Sequence, residues 1–436
     1  MLSKFQNHIN AKFPFLKDAK LLIAISGGMD SVVLTCLSHK SGLNIALAHC
    51  NFNLRGEESN GDEDFVLQLA EDLELEVFVE NFDTELYAKD QKQSIQMAAR
   101  ELRYRWFLEL AEQLGYDYIL TAHHADDNFE TFLINFTRGT GLEGLTGIPE
   151  VNGKFVRPLL PFSRDEVEMF AKENNIEWRD DSSNASTKYL RNKLRHEVIP
   201  ILKELNPSLL QSFETTQSNL KDSQGIVAES VDAFLKKTLD ISNESQAKFK
   251  ISEFKKKQNP KAYLFEVFKD FGFTEWNDVL NLLDAQSGKQ VLSEHWRLIK
   301  DRDYLLLSDI NSKTFEKITV SETDKNVETP IGTLFFDEVE SISETGRHII
   351  YVDKNELHFP LTLRTWEEGD VFFPLGMSGK KKLSKYFKDE KLSLLDKEGT
   401  CLLCSGTDIV WVVGKRADAR FKVTESTKRI LKIQLK

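Results

Sequence analysis

A short run of glycine and hydroxyl residues, Ser26-Gly27-Gly28-Met29-Asp30-Ser31, is the first part of the chain that could do chemistry. It follows an apolar run at residues 21–25 and precedes a stretch that can start a helix. Glycines let the backbone approach a polyphosphate, and a helix N-terminus offers free N–H groups. Asp30 would repel bare phosphate, so it indicates a bridging Mg²⁺ or the handling of pyrophosphate. The lysine of a GxxxxGK[ST] loop is absent, which excludes that kind of kinase or GTPase site; a plain flexible turn is the alternative.

A second candidate site is the run HHADDNFET, which follows an apolar segment and contains His123, His124, Asp126, Asp127 and Glu130. Open α/β sheets bind ligands where their strands end, so we expect these side chains at such an edge. The carboxylates could hold Mg²⁺ or orient a cationic amine, and Asp127 is the strongest catalytic candidate. Zinc is disfavoured because no set of three ligands has the required spacing. A solvated acidic helix start is the alternative, since acids favour the first turn.

Two groups of basic residues are spaced for helices. Arg100 and Arg103 lie three residues apart and share a face, whereas Arg105 points elsewhere. A positioned arginine could stabilise charge on a phosphate that is being attacked, or bind a nucleic-acid backbone. The second group also falls on one helical face and consists of Lys188, Arg191 and Arg195. Exposed helix faces without a function are the alternative for both groups.

These residues must be positioned by an alternation of strands and helices. Short apolar runs at residues 21–25, 44–49, 75–80 and 116–123 are separated by segments long enough for crossover helices. This pattern predicts an α/β fold with a parallel, Rossmann-like sheet. Residues 206–286 have a helical pattern without comparable strand runs, and strands dominate after them. We predict a catalytic domain at 1–210, a helical and then β-rich middle domain at 211–350, and a small, basic α+β domain at 351–436.

The composition limits the class of protein. The 436 residues carry a formal net charge of −12, which argues against a protein that coats nucleic acid indiscriminately. Residues 364–436 differ, with 16 Lys and Arg against 10 Asp and Glu. No apolar run approaches the ~20 residues of a membrane span, and no signal peptide is recognised. The four cysteines are too few and scattered for a disulfide framework. We therefore expect a cytoplasmic enzyme with no membrane partner.

The hexad SGGMDS after a buried strand resembles the PP-loop of ATP pyrophosphatases, which adenylate a substrate and release pyrophosphate. This resemblance implies that ATP is bound by Ser26, Gly27, Gly28, Asp30 and Ser31. Four further stretches, at residues 48–59, 96–107, 121–148 and 157–200, together resemble the tRNA(Ile)-lysidine synthetase family. The resemblance covers nearly all of the first 200 residues and recurs at the C-terminal end.

The resemblance implies a specific reaction. Such an enzyme adenylates the wobble cytidine of an isoleucine tRNA with a CAU anticodon, and L-lysine then displaces AMP at carbon 2 of the base. The product, lysidine, pairs with A instead of G and changes the tRNA from methionine to isoleucine identity. The expected partners are thus this tRNA and L-lysine, the expected cofactors are ATP and Mg²⁺, and a homodimer is compatible with the sequence.

The resemblance also assigns roles to residues. The expected catalytic residues are Asp30, Arg103, Asp127, Arg191 and Arg195. Asp30 and Asp127 are the expected Mg²⁺ ligands, and His124 and Glu130 are expected to bind substrate. His49 and Asn51 end the second strand together with Arg55, where an adenine or ribose could lie. The family often has H-x-N-H here, whereas this chain has Phe52 in the fourth position, which puts a role for a second histidine in doubt.

The C-terminal segment contains a cluster of lysines with two neighbouring aromatic residues, Tyr386 and Phe387. Lysines bind phosphate and aromatic rings can stack unpaired bases, so we predict a tRNA-binding surface. Its expected contact residues are Lys380, Lys381, Lys382 and Lys385. A solvated lysine run is the alternative.

Two other functions stay open at this point. Cys401 and Cys404 form a CxxC pair, which would suit a PP-loop tRNA thiolase. One pair in an apolar run, without a second pair to complete four ligands, is more often a packing feature. The other alternative is a catalytically silent RNA-binding protein that has kept a nucleotide-binding fold.

Overall fold

The computed structural model describes residues 1–179, 190–243, 246–310 and 316–436. They form two compact units, Met1–Val227 and Ala228–Lys436. No helix within these described ranges is long and apolar enough to cross a membrane.

A six-stranded sheet organises the first unit. Its strands are β1 (Leu21–Ala24), β2 (Ile45–Asn51), β3 (Val77–Asn81), β4 (Tyr118–Leu120), β5 (Val151–Asn152) and β6 (Phe155–Val156). They lie in the order β3-β2-β1-β4-β6-β5, and every pair is parallel except β5 with β6. The predicted parallel α/β fold is confirmed, and all four predicted apolar runs contain strands.

Helices precede, connect and follow these strands in the chain. They are α1 (Leu2–Lys12), α2 (Met29–Lys40), α3 (Glu57–Asp72), α4 (Thr84–Asp90), α5 (Ile95–Gln113), α6 (Ala125–Arg138), α7 (Leu142–Leu145), α8 (Arg164–Glu173), α9 (Leu190–Lys193), α10 (Ile199–Leu205) and α11 (Leu209–Thr238). A π-helical segment, Leu194–Val198, joins α9 to α10.

Alternate residues of the central strands enter two separate cores. Leu21 and Leu47 belong to a cluster with α1, α2 and α8, whereas Leu22 and Ala46 join a cluster with Phe107 of α5. Successive side chains of a strand point to opposite faces, so this division places helices on both sides of the sheet. Burial on both faces explains why these strands are apolar throughout.

The second unit begins with an antiparallel sheet and three helices. The strands are β7 (Leu239–Asn243), β8 (Gln246–Lys250), β9 (Gln290–Leu292), β10 (Trp296–Asp301) and β11 (Tyr304–Asp309), and the helices are α12 (Ile251–Lys255), α13 (Pro260–Phe268) and α14 (Trp276–Asn281). The expectation of helices alone across residues 206–286 is wrong at β7 and β8. Phe249 of β8 is buried and pairs with Leu305 of β11, so a distant strand partner stabilises the extended form.

The remaining strands form two more antiparallel sheets and a hairpin, with two short helices. The strands are β12 (Ile318–Val320), β13 (Asn326–Thr329), β14 (Gly332–Val339), β15 (Ile349–Asp353), β16 (Leu361–Thr365), β17 (Val371–Phe372), β18 (Lys381–Lys382), β19 (Cys401–Ser405), β20 (Asp408–Val412), β21 (Arg416–Ala417) and β22 (Ile430–Leu435), and the helices are α15 (Leu383–Asp389) and α16 (Leu394–Glu398). This confirms the predicted α+β end of the chain.

The middle sheet contacts α16. Leu395 packs against Ile299 and Leu306, and Arg297 Nη2 donates to Glu398 Oε2 at 2.6 Å. Residues on either side of the predicted domain boundary therefore share a small core. The two predicted domain boundaries themselves stay a prediction.

We predict that Leu47→Ala lowers the free energy of unfolding of the first unit by about 2–5 kcal/mol, because it leaves a cavity in the core beneath the sheet. Urea unfolding of the full chain would measure the change. Leu67→Ala is the matched control, since Leu67 is exposed and its loss should cost about 0.5 kcal/mol or less. Equal effects of the two variants would contradict the assigned core.

Candidate active site

The glycine-rich loop joins β1 to α2 and is closed by its own serines. Ser31 Oγ donates to the Gly28 carbonyl at 2.9 Å, and the Ser26 amide donates to Ser31 Oγ at 3.2 Å. Gly27 has a φ of +85°, a conformation that favours glycine. Gly28 is the N-cap of α2, so the helix begins directly after the loop. The predicted sequence of strand, loop and helix start is confirmed.

His124 brings two predicted acidic residues together. It is the N-cap of α6 in a reciprocal capping box with Asp127, and its side chain is 1% exposed. Its Nε2 lies 3.4 Å from Asp127 Oδ2 and 3.6 Å from Asp30 Oδ2. Burial opposes protonation of His124, but Asp30 and Asp127 outweigh it and raise its pKa. Asp30 at the start of α2 and Asp127 at the start of α6 thus both lie close to the imidazole of His124.

The two carboxylates fit a magnesium ion. Asp30 Oδ1 is buried without a hydrogen-bond partner among the described residues. Mg²⁺ is usually held by one or two carboxylates together with substrate phosphates and water. The described part of the chain has no group of three or more His, Cys, Asp or Glu arranged for a metal. Asp30 and Asp127 are therefore suited to a metal that arrives with a nucleotide.

Arg195 forms an ion-pair network with the face of α6. Its Nε donates to Glu130 Oε1 at 2.5 Å, and its Nη2 donates to Asp127 Oδ1 at 3.1 Å. Arg191 lies farther out, with Nε 3.6 Å from Glu130 Oε2. Burial works against the charge of Arg195, yet the Glu130 and Asp127 carboxylates raise its pKa. The structure thus joins four predicted site residues; Lys188, on the same predicted helical face, lies outside the described residues.

Asp126 lies outside this network and contacts two other helices. Its Oδ2 accepts the Arg164 amide at 2.8 Å, and its Oδ1 accepts Lys203 Nζ at 2.7 Å. Burial would raise the pKa of Asp126, but these hydrogen bonds and the lysine charge lower it. Asp126 therefore connects α6 to α8 and α10 and holds the cluster in place.

Arg157 is a buried cation that sequence reasoning did not single out. It follows β6, is 5% exposed, and donates from Nη1 to the Pro149 carbonyl at 2.7 Å. Burial lowers the pKa of His123 to about 4; the Asp127 carboxylate opposes this shift, and the charges of Arg157, Arg191 and Arg100 add to it. A charged residue directly after a buried strand was the signal that could have identified Arg157. His123 is thus a buried imidazole with a carboxylate and several guanidinium groups around it.

His49 and Asn51, the predicted nucleotide contacts at the end of β2, interact with other groups of the protein. His49 Nδ1 lies 3.0 Å from the Ile25 carbonyl, and Asn51 Nδ2 donates to Glu63 Oε2 at 2.8 Å. Arg103 lies with its guanidinium carbon 5.0 Å from the Phe52 ring centroid. Phe52 in turn stacks on Phe82 at 5.7 Å. The residue that departs from the family pattern thus supports the predicted catalytic Arg103.

The C-terminal cluster differs from the expectation in its aromatic residues. Tyr386 and Phe387 are buried in a core with Phe372, so the idea that they stack on bases is wrong. Their positions on α15 turn them towards the sheet. Among the predicted lysines, Lys381 Nζ pairs with Asp389 Oδ2 at 2.8 Å. The other members of the cluster, Lys380, Lys382 and Lys385, are exposed.

The CxxC pair is a packing feature. Cys401 and Cys404 are free thiols buried in β19, in two different cores. Burial raises the pKa of the Cys401 thiol to about 12 and that of Cys404 to about 11. Reactive cysteines need an accessible thiolate, so this pair does not suit sulfur transfer.

The parallel sheet, the glycine loop and the carboxylates at two helix starts define an ATP-using enzyme of the PP-loop class. The family model described as a PP-loop domain matches residues 1–202. Models described as the TilS substrate binding domain and the TilS substrate C-terminal domain match residues 242–310 and 361–435.

Curated proteins named tRNA(Ile)-lysidine synthase match almost the whole chain. The protein of Parabacteroides distasonis is 42% identical over 95% of both chains, and that of Bacteroides thetaiotaomicron is 39% identical over 97% of both. The protein of Porphyromonas gingivalis (strain W83) is 37% identical over 94% of this chain and 92% of its own. This chain belongs to the tRNA(Ile)-lysidine synthase family, and membership favours an ATP-dependent ligase over a thiolase or a silent RNA-binding protein.

We predict that Arg195→Ala lowers the free energy of unfolding by about 3–5 kcal/mol, because it leaves the Glu130 carboxylate buried without its closest cation. Arg191→Ala is the matched control and should cost about 1 kcal/mol or less, since Arg191 is more exposed and its Nε is farther from Glu130. Urea unfolding of both variants would measure the difference. A larger loss for Arg191→Ala would contradict the described network.

Proposed function

We propose that this enzyme adenylates the wobble cytidine of an isoleucine tRNA with a CAU anticodon and then joins L-lysine to carbon 2 of the base. The observation that carries the proposal is the meeting of Asp30 and Asp127 at His124, beside the glycine-rich loop. Family membership supports lysidine formation on tRNA with ATP as the energy source. We expect the enzyme to act in the cytoplasm. We also expect a homodimer, and analytical sedimentation would measure its mass.

In the first step, oxygen 2 of the cytidine attacks the α-phosphate of ATP and pyrophosphate leaves. The α2 N-terminus and the glycine backbone favour the negative charge of the phosphates. Arg103 and Arg191 are the proposed cations for the charge that develops on the α-phosphate. Asp30 and Asp127 would hold Mg²⁺, which would neutralise phosphate charge when bound.

In the second step, an amine of lysine attacks carbon 2, AMP leaves with the oxygen, and the amine loses a proton. Glu130 and Asp127 are carboxylates that can orient a cationic amine, and Arg195 holds both of them in place. His124 orients Asp127 through the capping box. Free AMP and lysidine-containing tRNA are the products.

The proposal is tested by incorporation of radiolabelled L-lysine into the CAU-anticodon isoleucine tRNA with ATP and Mg²⁺, alongside AMP release. We expect label in the tRNA and equal amounts of AMP. Asp30→Ala and Asp127→Asn should lower the rate by at least about a hundredfold, because each removes charge stabilisation of the transferring phosphate. Asp64→Asn, an exposed change on α3, should have no effect. AMP release without label would contradict the proposal and favour another modified base.

We propose further that Lys380, Lys382 and Lys385 bind the tRNA backbone. Replacing all three with Ala should weaken tRNA binding and lower the slope of log affinity against log salt by about 0.7–0.9 for each phosphate that the variant no longer neutralises. Filter binding at several salt concentrations would measure this. Replacing the exposed Lys12, Lys17 and Lys89 of the other unit is the control. Unchanged affinity of the first variant would remove this surface from the tRNA site.

A further inference from the structure

The helix that carries the proposed catalytic carboxylates packs against α11 through aromatic rings. Phe213 of α11 is buried, and its ring centroid lies 4.9 Å from that of Phe129 and 5.1 Å from that of Phe132, both on α6. Burial of apolar area is a non-directional source of stability, so such contacts tolerate small shifts of one helix along the other. A hydrogen bond between the helices fixes their relative position more sharply.

Such a contact lies beside the rings, directly after Asp127. Asn128 of α6 and Gln217 of α11 are each 5% exposed, and their side-chain amides bond to each other in both directions. Asn128 Nδ2 donates to Gln217 Oε1 at 2.8 Å, and Gln217 Nε2 donates to Asn128 Oδ1 at 3.2 Å. Gln217 follows Phe213 by four residues, so both lie on the same face of α11. The amide pair thus links the first turn of α6 to α11.

Backbone groups of the loop after α7 fix the orientation of both amides. The Ile148 amide donates to Asn128 Oδ1 at 2.7 Å, and Gln217 Nε2 donates to the Thr146 carbonyl at 3.0 Å. Between them, Gly147 has a φ of +75°, and a Cβ added to it would collide with Gln217 Nε2 and Asn128 Oδ1. Buried amides are favourable only when they keep their partners, so this network holds the three segments at one spacing.

We propose that Asn128 and Gln217 are positioning residues for the step that joins lysine to the base. The α6 helix carries Asp127 one residue before Asn128 and Glu130 two residues after it, and these are the carboxylates assigned to the amine. A displacement of about 1 Å in a catalytic group can lower a rate about a hundredfold, so a pair that prevents small shifts of α6 acts on the reaction. This inference rests on the proposed function and extends it to residues outside the reacting centre.

The test is steady-state kinetics of lysidine formation by the full chain with ATP, CAU-anticodon isoleucine tRNA and L-lysine. Gln217→Met removes the amide with little change of volume. We expect it to lower kcat/KM for L-lysine by about 10- to 100-fold, because Asp127 and Glu130 are no longer held in place. KM for ATP should change by about twofold or less, since the glycine-rich loop joins β1 to α2 and does not contact the pair. Gly147→Ala should give the same pattern, because its Cβ would push the two amides apart.

Phe213→Leu is the matched control, because it weakens the apolar contact between the same two helices and leaves the amides in place. It should lower the midpoint of urea unfolding and keep kcat/KM for L-lysine within about twofold of wild type. The swapped double variant, Asn128→Gln with Gln217→Asn, keeps two amides of the same total length. It should be more active than either of its single variants, a rescue that a loss of stability alone does not explain.

Three results would overturn the inference. Unchanged kcat/KM for L-lysine in folded Gln217→Met and Gly147→Ala would show that the pair does not act on the reaction. An equal loss in Phe213→Leu, at a similar loss of stability, would show that activity follows stability only. A raised KM for ATP with an unchanged dependence on lysine would place the effect on the nucleotide. An inactive wild-type chain would overturn the proposed function and this inference with it, whereas the three results above require an active wild type.

Discussion

The pairing of β1 with β2 on one side and β4 on the other is the constraint on which the site depends. Parallel pairing makes all three strands end at the same edge of the sheet. The loop after β1 and the start of α6 after β4 consequently lie side by side, although about a hundred residues separate them in the chain. Crossovers of one hand keep the helices on the faces and leave this edge for ligands.

Acidic and basic side chains occupy different parts of that edge. Asp30, Asp127 and Glu130 give a negative centre, and His124 and Arg195 keep these carboxylates together without cancelling them all. Arg100, Arg157 and Arg191 add positive charge near His123, where they act against the Asp127 carboxylate. Such a site can accept a cationic amine at its centre and polyanions around it. These are the charge types of the proposed substrates, with lysine on one side and ATP and tRNA on the other.

Much of this architecture was predictable from local patterns. The SGGMDS loop and the central strands follow from short-range spacing, and Arg191 and Arg195 share a helical face as predicted. The rest depends on contacts between distant residues. Asp126 and Lys203 form an ion pair although they are 77 positions apart, and no local pattern connects them. Tyr386 and Phe387 were misjudged because lysines surround them in sequence, while α15 turns both rings inward. β8 needed its partner β11 to be recognisable as a strand.

The contact between the middle sheet and α16 has a consequence for how the second unit loses its structure. Leu395 completes a core with Ile299 and Leu306, and the Arg297–Glu398 ion pair lies across the same junction. Melting either side would expose apolar surface of the other, so the free energies of the two sides are coupled. The segments matched by the TilS substrate-binding and C-terminal models lie in one compact unit, and a substitution that loosens one segment should lower the hydrogen-exchange protection of the other.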